Sequence, residues 1–237
     1  TAVISRVLEA EGLRVAVLAQ PDWHDAEAFR AMGRPRLGVF IGAGNLDSMV
    51  AHYTAAKRRR SEDFYSPGKR TGCRPDRAAI VYCNRAREAF GPDMPIILGS
   101  LEASLRRFAH YDYWDDAVRR AILFDAPADL LVYGMGEAAT IEIARRLKKK
   151  QSVRTMTDIP GTGYITRDPA VCKFEHIPLP SFEDVRDDKR LYAEATRTDY
   201  AAHAPIRGRA TTHPRAGRHL TITPPAMPPD PPALDRV

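Results

Sequence analysis

Cysteine is scarce in this chain: Cys73, Cys83 and Cys172 are the three thiols among 237 residues. An odd number at such wide spacing argues against a disulfide framework. None of the three falls in a CxxC or CxxxC pattern, or beside a histidine at ligand spacing, so metal binding by this chain alone is disfavoured. Long apolar runs are absent too, which excludes a bilayer-spanning helix by sequence. No charged stretch followed by an apolar one reads as a cleaved secretion signal, and the expected compartment is the cytoplasm. The chain also lacks GxSxG, HExxH and the DxHxxG segment that supplies the lower ligand in many cobalamin-binding domains. In GAGNLDSMV (42–50) the third glycine of a GxGxxG fingerprint would fall at Asp47, so dinucleotide binding is not supported. Asn45 and Asp47 read more simply as helix caps.

What is present fits a folded α/β protein. Hydrophobic residues make up 44% and charged residues 28%, close to globular averages. The net charge is +6, partly concentrated in KRRR (57–60) and RRLKKK (145–150). Such runs serve either as solvated helix faces or as contacts for nucleic acid.

Short apolar runs alternate with segments of helical period, as in βαβ units around a parallel sheet. Strands are expected at RVAVLA (14–19), RLGVFIGAG (36–44), MPIILGS (94–100) and ADLLVYGMG (128–136), each continuously hydrophobic as in a strand covered on both faces. Helices are expected at 1–11, 25–32, 45–58, 76–90, 114–124 and 137–148. In the fifth, Trp114, Val118, Ala121 and Ile122 share one helical face. Gly91-Pro92 stops the fourth. The expected fold is Rossmann-like, a parallel sheet with helices on both faces over residues 1–150. The chain opens directly in an amphipathic helix, so a strand is expected upstream of residue 1.

From 151 to 200 the pattern reads as a small α/β extension. GTGYITR and AVCKFEHIPL are extended there, and a helix follows Ser181, with Asp184 completing a weak capping box. From 201 to 237, eight of the 19 prolines accumulate, which reads as a Pro/Arg-rich linker towards a further domain.

One stretch carries most of the chemistry. GSLEASLRRFAHYDYWDD (99–116) follows a buried strand, and open parallel sheets place ligands beyond the carboxyl ends of their strands. Arg106 and Arg107 could receive a phosphate or carboxylate. His110, Tyr111, Asp112 and Tyr113 add hydrogen-bonding and stacking groups. Equally, the arginines could pair with Glu102 or Asp112 and the tyrosines could seal the sheet edge. Strand ends at Gly42–Asn45 and at GMGE (134–137), with Glu137, share that edge.

The stretches RVLEAEGLRVAVLAQPDW (6–23), GNLDSMVAHYTAAKRRRSEDFYSPG (44–68), RPDRAAIVYCNRAREAF (74–90) and LEASLRRFAHYDYWDDAVRRAILFDAPADLLVYGMGE (101–137) closely resemble the amino-terminal region of the YgiQ family of radical S-adenosylmethionine proteins. The resemblance covers roughly residues 1–200. It implies a Rossmann-like domain, related in shape to cobalamin-binding modules, followed by a radical SAM barrel. It further implies, for the intact protein, a CxxxCxxC loop holding a [4Fe-4S] cluster and reductive cleavage of S-adenosylmethionine to start radical chemistry on an unknown substrate. None of the three cysteines here matches that loop. The resemblance therefore implies an accessory domain, with Asn45, Asp47, Glu102, Arg106, Arg107, His110, Tyr111, Asp112, Tyr113 and Glu137 facing the barrel or its substrate. A free-standing basic module for nucleic acid is the alternative reading.

Overall fold

The computed structural model describes residues 1–204 and 206–234. In chain order the elements are α1 (Ala2–Ala10), α2 (Glu27–Arg30), β1 (Val39–Gly42), α3 (Ser48–His52), α4 (Ala78–Phe90), β2 (Ile96–Gly99), α5 (Ser100–Leu105), β3 (His110–Asp112) and β4 (Ala117–Arg119). They continue with β5 (Leu130–Val132), α6 (Glu137–Lys148), β6 (Thr162–Thr166), β7 (His176–Pro178), α7 (Phe182–Asp187), α8 (Lys189–Ala202), β8 (Ala210–Arg215) and β9 (Arg218–Ile222).

Seven strands form one sheet in the order β1-β2-β5-β6-β9-β8-β7. The first three run parallel. β6 and β9 then continue the sheet antiparallel, and β7 pairs parallel with β8 at the far edge. The parallel strands alternate their side chains between two cores, which is why their sequences are continuously apolar. Ile41, Ile96, Leu98 and Leu131 pack on Ala79, Tyr82, Cys83, Ala86 and Phe90 of α4. Ile97, Leu130 and Val132 pack on Ala139, Ile143 and Leu147 of α6. Each fully buried Ile or Leu contributes about 2 kcal/mol of transfer free energy. Helices α2 and α4 meet on the first face, and α1 meets α6 on the second, where Arg145 pairs with Glu11 at 2.7 Å. With helices on both faces, the fold is α/β and Rossmann-like.

Five local expectations change. The helix expected at 45–58 is confined to Ser48–His52, because Tyr53 is extended (φ −124°, ψ 148°) and ends it. Residues 14–19 form no strand; Val17 and Leu18 are exposed, and among the described residues no backbone hydrogen bond joins this run to a neighbour. Residues 114–124 form no α-helix. The Asp112 carboxylate accepts the N–H groups of Trp114 at 2.9 Å and Asp115 at 3.2 Å, which turns the chain, and Asp116 at φ 52° returns it into β4. The supposed single helical face is divided: Val118 packs against α7, while Ala121 and Ile122 join the main core.

The helix after Ser181 is two helices, because Asp188 is extended (φ −124°, ψ 113°) and caps α8 with its carboxylate. The Ser181–Asp184 capping box is formed.

The segment read as a linker from residue 201 contributes β8 and β9 to the interior of the sheet. Thr211, Thr212, Thr221 and Thr223 are buried there, β-branched side chains suited to a pleated surface. Ala216 (φ 46°) and Gly217 (φ 71°) make the tight hairpin turn, the double positive φ that matches strand twist. Pro214 is tolerated because β7 pairs with β8 only as far as Thr212, leaving no ladder partner for an N–H at 214 on that side. Residues 223–230 then run without helix or strand; Pro205 and residues 235–237 of that segment lie outside the described residues.

Candidate functional site

The carboxyl ends of β1, β2 and β5 lie along one sheet edge, and β2 passes into α5 without a spacer. The turn is tight enough that Ser100 adopts φ 74°, a conformation costing a non-glycine residue about 1 kcal/mol. A Cβ at residue 42 would stand 3.0 Å from the Ser100 Cβ, so any larger residue there would have to push Ser100 aside. Ser100 Oγ accepts the Ala43 N–H at 3.2 Å. The ends of β1 and β2 are thereby locked together.

One turn further, Glu102 is fully buried. Its Oε2 accepts the N–H (3.0 Å) and the hydroxyl (2.7 Å) of Ser48, and its Oε1 accepts the Ala79 N–H at 3.1 Å. Ser48 Oγ in turn accepts the Ala78 N–H at 3.0 Å. A single carboxylate therefore serves the amino ends of α3 and α4, where unpaired N–H groups favour negative charge. Arg106 closes the cluster, at 2.9 Å from Asp47 and 3.5 Å from Glu102. Asp47 caps α3 through Met49 and Val50. Asp47, Glu102 and Arg106 are thus one internal network, and Arg106 already holds two carboxylates.

Arg107 turns towards α8. It lies 3.9 Å from Asp199 and over the rings of Phe108 and Tyr133, at 4.6 and 4.9 Å from their centroids. His110 Nδ1 lies 3.0 Å from the Phe108 carbonyl oxygen. Burial, reinforced by the Arg106 charge, holds its pKa below the ordinary histidine value.

Tyr111 receives no such cover. Its backbone N–H donates to the Tyr192 hydroxyl at 3.0 Å and its own hydroxyl donates to Asp116. Asp112 is buried against Arg77 at 3.0 Å. Burial works against its charge, but the Arg77 guanidinium and the turn N–H groups outweigh it and lower the pKa. The Tyr113 hydroxyl donates to the Ala55 carbonyl at 2.6 Å, and Lys57 sits 4.9 Å above its ring. Asn45 is exposed in the loop before Asp47, and Glu137 begins α6 at the end of β5.

The ten residues therefore divide into the Asp47–Glu102–Arg106 network, the α8-facing Arg107, a polar hairpin at 110–113, and two outlying strand-end positions. Between them the edge exposes apolar side chains: Leu101 and Leu105, four apart on α5, and Met135 beyond β5. Gly134 N–H reaches Ser104 Oγ at 3.4 Å, which ties the last of these to α5.

Several organising residues escaped sequence reasoning. Ser48, Arg77, the Asp63–Arg74 pair (2.8 Å) and the Asp76 carboxylate that joins His52 and Tyr53 (each 2.7 Å) all support the site from behind. The alternating charges of RPDR at 74–77, just before a helix, were the available signal.

Five of the nine basic side chains in the two runs are engaged within the domain. Lys57 donates to the Trp114 carbonyl, Arg59 lies over Tyr53, and Arg60 donates to Val50 and Tyr53 carbonyls. Arg145 pairs with Glu11, and Arg146 with Glu142 and Asp158. A cleft of about 950 Å³ opens at the opposite sheet edge, between Phe124, Asp129, Arg154 and Tyr164.

The thiols do not fit an iron–sulfur cluster. Cys83 is fully buried in α4, where burial pushes its pKa up. Cys172 instead donates weakly to the Phe174 carbonyl at 3.5 Å. Among the described residues no group of three His, Cys, Asp or Glu side chains is placed to hold a metal ion. No helix among them is long and apolar enough to cross a membrane.

Residues 1–237 match the family described as Radical SAM N-terminal. The chain is 48% identical over its full length to a UPF0313 protein of Clostridium botulinum (strain 657 / Type Ba4), covering 37% of that protein. It is 50% identical to a UPF0313 protein of Clostridium perfringens (strain SM101 / Type A), covering 36% of it. The chain thus spans little more than a third of the length of these relatives. No solved structure gives a significant match. With the family matched from the first residue to the last, on a Rossmann-like sheet, the chain belongs to the Radical SAM N-terminal family.

Proposed function

We propose that this domain is the accessory, non-catalytic part of a radical SAM enzyme, and that the sheet edge at Gly42–Asn45, Gly99–Trp114 and Gly134–Glu137 docks against the catalytic barrel of the same polypeptide. The observation that carries the reading is the full-length family match on a chain spanning only 36–37% of its relatives. The exposure of Leu101, Leu105 and Met135, and the half-exposure of Tyr111 and Tyr113, support it, since exposed apolar and aromatic side chains suit a contact between domains. Arg106 and Arg107 act in this reading as struts that hold the edge in shape.

In the intact protein the barrel supplies the [4Fe-4S] cluster and the S-adenosylmethionine chemistry. The test is anaerobic reconstitution of the full-length protein with iron and sulfide, followed by reduction with S-adenosylmethionine present. Formation of 5′-deoxyadenosine is expected. A full-length protein that takes up no cluster and leaves S-adenosylmethionine intact overturns the enzyme reading.

A further inference from the structure

Among the described residues β1 has a hydrogen-bonded neighbour on one side only. Val39 N–H donates to the Pro95 carbonyl on the β2 side. By strand alternation the N–H groups of Phe40 and Gly42 point away from β2, towards the open edge. Residues 14–19 are strand-like in sequence yet unpaired, with Val17 and Leu18 exposed.

Crossover handedness fixes where these two unpaired edges belong. Parallel crossovers are right-handed in about 98% of cases. Going from β1 to β2, the chain crosses on the α4 face of the sheet. A right-handed crossover on that same face must step in the same direction. Helix α2 packs on α4, so it lies on that face, and the step from residues 14–19 through α2 to β1 therefore starts on the open side of β1. Helix α1 packs on α6, on the opposite face, where right-handed steps run the other way. Whatever strand precedes α1 must then lie on the β1 side of residues 14–19.

We infer that the gap between residues 14–19 and β1 is a slot for one parallel strand, filled by the segment of the longer polypeptide immediately upstream of residue 1. The relatives are nearly three times the length of this chain, on the 36–37% coverage, so such proteins carry polypeptide outside the matched region from which a further strand can come. The occupant is an apolar run of about five residues, the common strand length, joined to α1 by a short turn. It would cover Phe40 and give residues 14–19 their missing ladder. The chain would then reverse its direction of travel across the sheet between this strand and β1. Such a reversal opens the crevice used for ligands in folds of this class, here above Gly42–Asn45.

Amide hydrogen exchange on the full-length polypeptide tests the slot. Phe40 and alternate residues of 14–19 are expected to exchange about 1,000-fold more slowly than unstructured amides, as paired strands do. In a second measurement, Val17→Asp in the full-length polypeptide is expected to lower Tm by several degrees. Unprotected amides at these positions, or protection that appears only as protein concentration rises, which would signal a second copy in the slot, overturns the inference. Neither readout depends on cluster or S-adenosylmethionine, so failure here is separable from failure of the enzyme reading.

Discussion

Glu102 and Ser48 are joined twice, the serine giving both its backbone N–H and its hydroxyl to the same carboxylate oxygen, Oε2. The pair sits where α3, α4 and α5 converge, with no exposure of either side chain. Glu102→Gln is expected to leave donors from Ser48, Ala79 and Arg106 underserved. Breaking a buried ion pair costs about 3–5 kcal/mol, so urea unfolding should show a loss near 3 kcal/mol. Ser48→Ala removes a charge-assisted bond to Glu102 and leaves the buried Ala78 N–H without its acceptor, and should cost about 2 kcal/mol. Equal stability of wild type and Glu102→Gln would show that the network is not structural.

Stability should fall on mild acidification through His213. This side chain is buried in β8 with no partner for Nε2 among the described residues, and burial lowers its pKa to about 4, against the pull of the Glu183 and Asp184 charges. An unfolded histidine titrates near 6.5, so between pH 6.5 and 4 the unfolded state binds more protons than the folded one. Stability is full above pH 6.5 and is lost as pH falls towards 4, by about 3 kcal/mol. In His213→Gln that part of the slope should vanish; an unchanged slope in denaturant titrations from pH 7 to 4 assigns it elsewhere.

How much of this was readable beforehand depended on the kind of signal. β1, β2 and β5 were legible because both their faces are buried, which forces an unbroken Val, Ile and Leu run. The capping box at Ser181 was legible because it is local. The β8–β9 hairpin was not: its buried face is threonine, its sequence carries proline and arginine, and its place in the sheet depends on pairing with β6, more than 40 residues away. The β3–β4 hairpin mimicked a helix because Val118 and Ile122 happen to be four apart while packing in different cores. At the candidate site the residue types were foreseen, but their partners were not. Arg106 finds Asp47 and Glu102, and Asp112 finds Arg77, through contacts that only the assembled fold creates.

Arg77 holds the β3–β4 hairpin to the head of α4, bridging Asp112 at 3.0 Å and Asp115 at 2.7 Å. Its own backbone is left-handed, at φ 51°. Arg77→Ala keeps that strain and removes both pairs, leaving the buried Asp112 charge held only by turn N–H groups. Amides of residues 110–119 should exchange at least tenfold faster while the α4 interior is unaffected. Uniform exchange in mutant and wild type would assign the hairpin's order to α7 and Tyr192 alone.

Leu105 is 59% exposed at the sheet edge. Leu105→Lys should therefore leave the Tm of this 237-residue chain within about 1 °C, since exposed substitutions usually cost under 0.5 kcal/mol. In the full-length protein the same change should lower Tm by several degrees, because the lysine meets the barrel. Identical small effects in both would place the docking surface elsewhere.

The division of labour between this domain and the rest of the polypeptide is the central claim, and iron uptake tests it most directly. Purified residues 1–237 and the full-length protein should be treated anaerobically with iron and sulfide, then assayed for bound iron, labile sulfide and visible absorption. The account predicts a coloured cluster on the full-length protein and none on residues 1–237, whose Cys83 is sealed in the core. A stable cluster on residues 1–237 would contradict it.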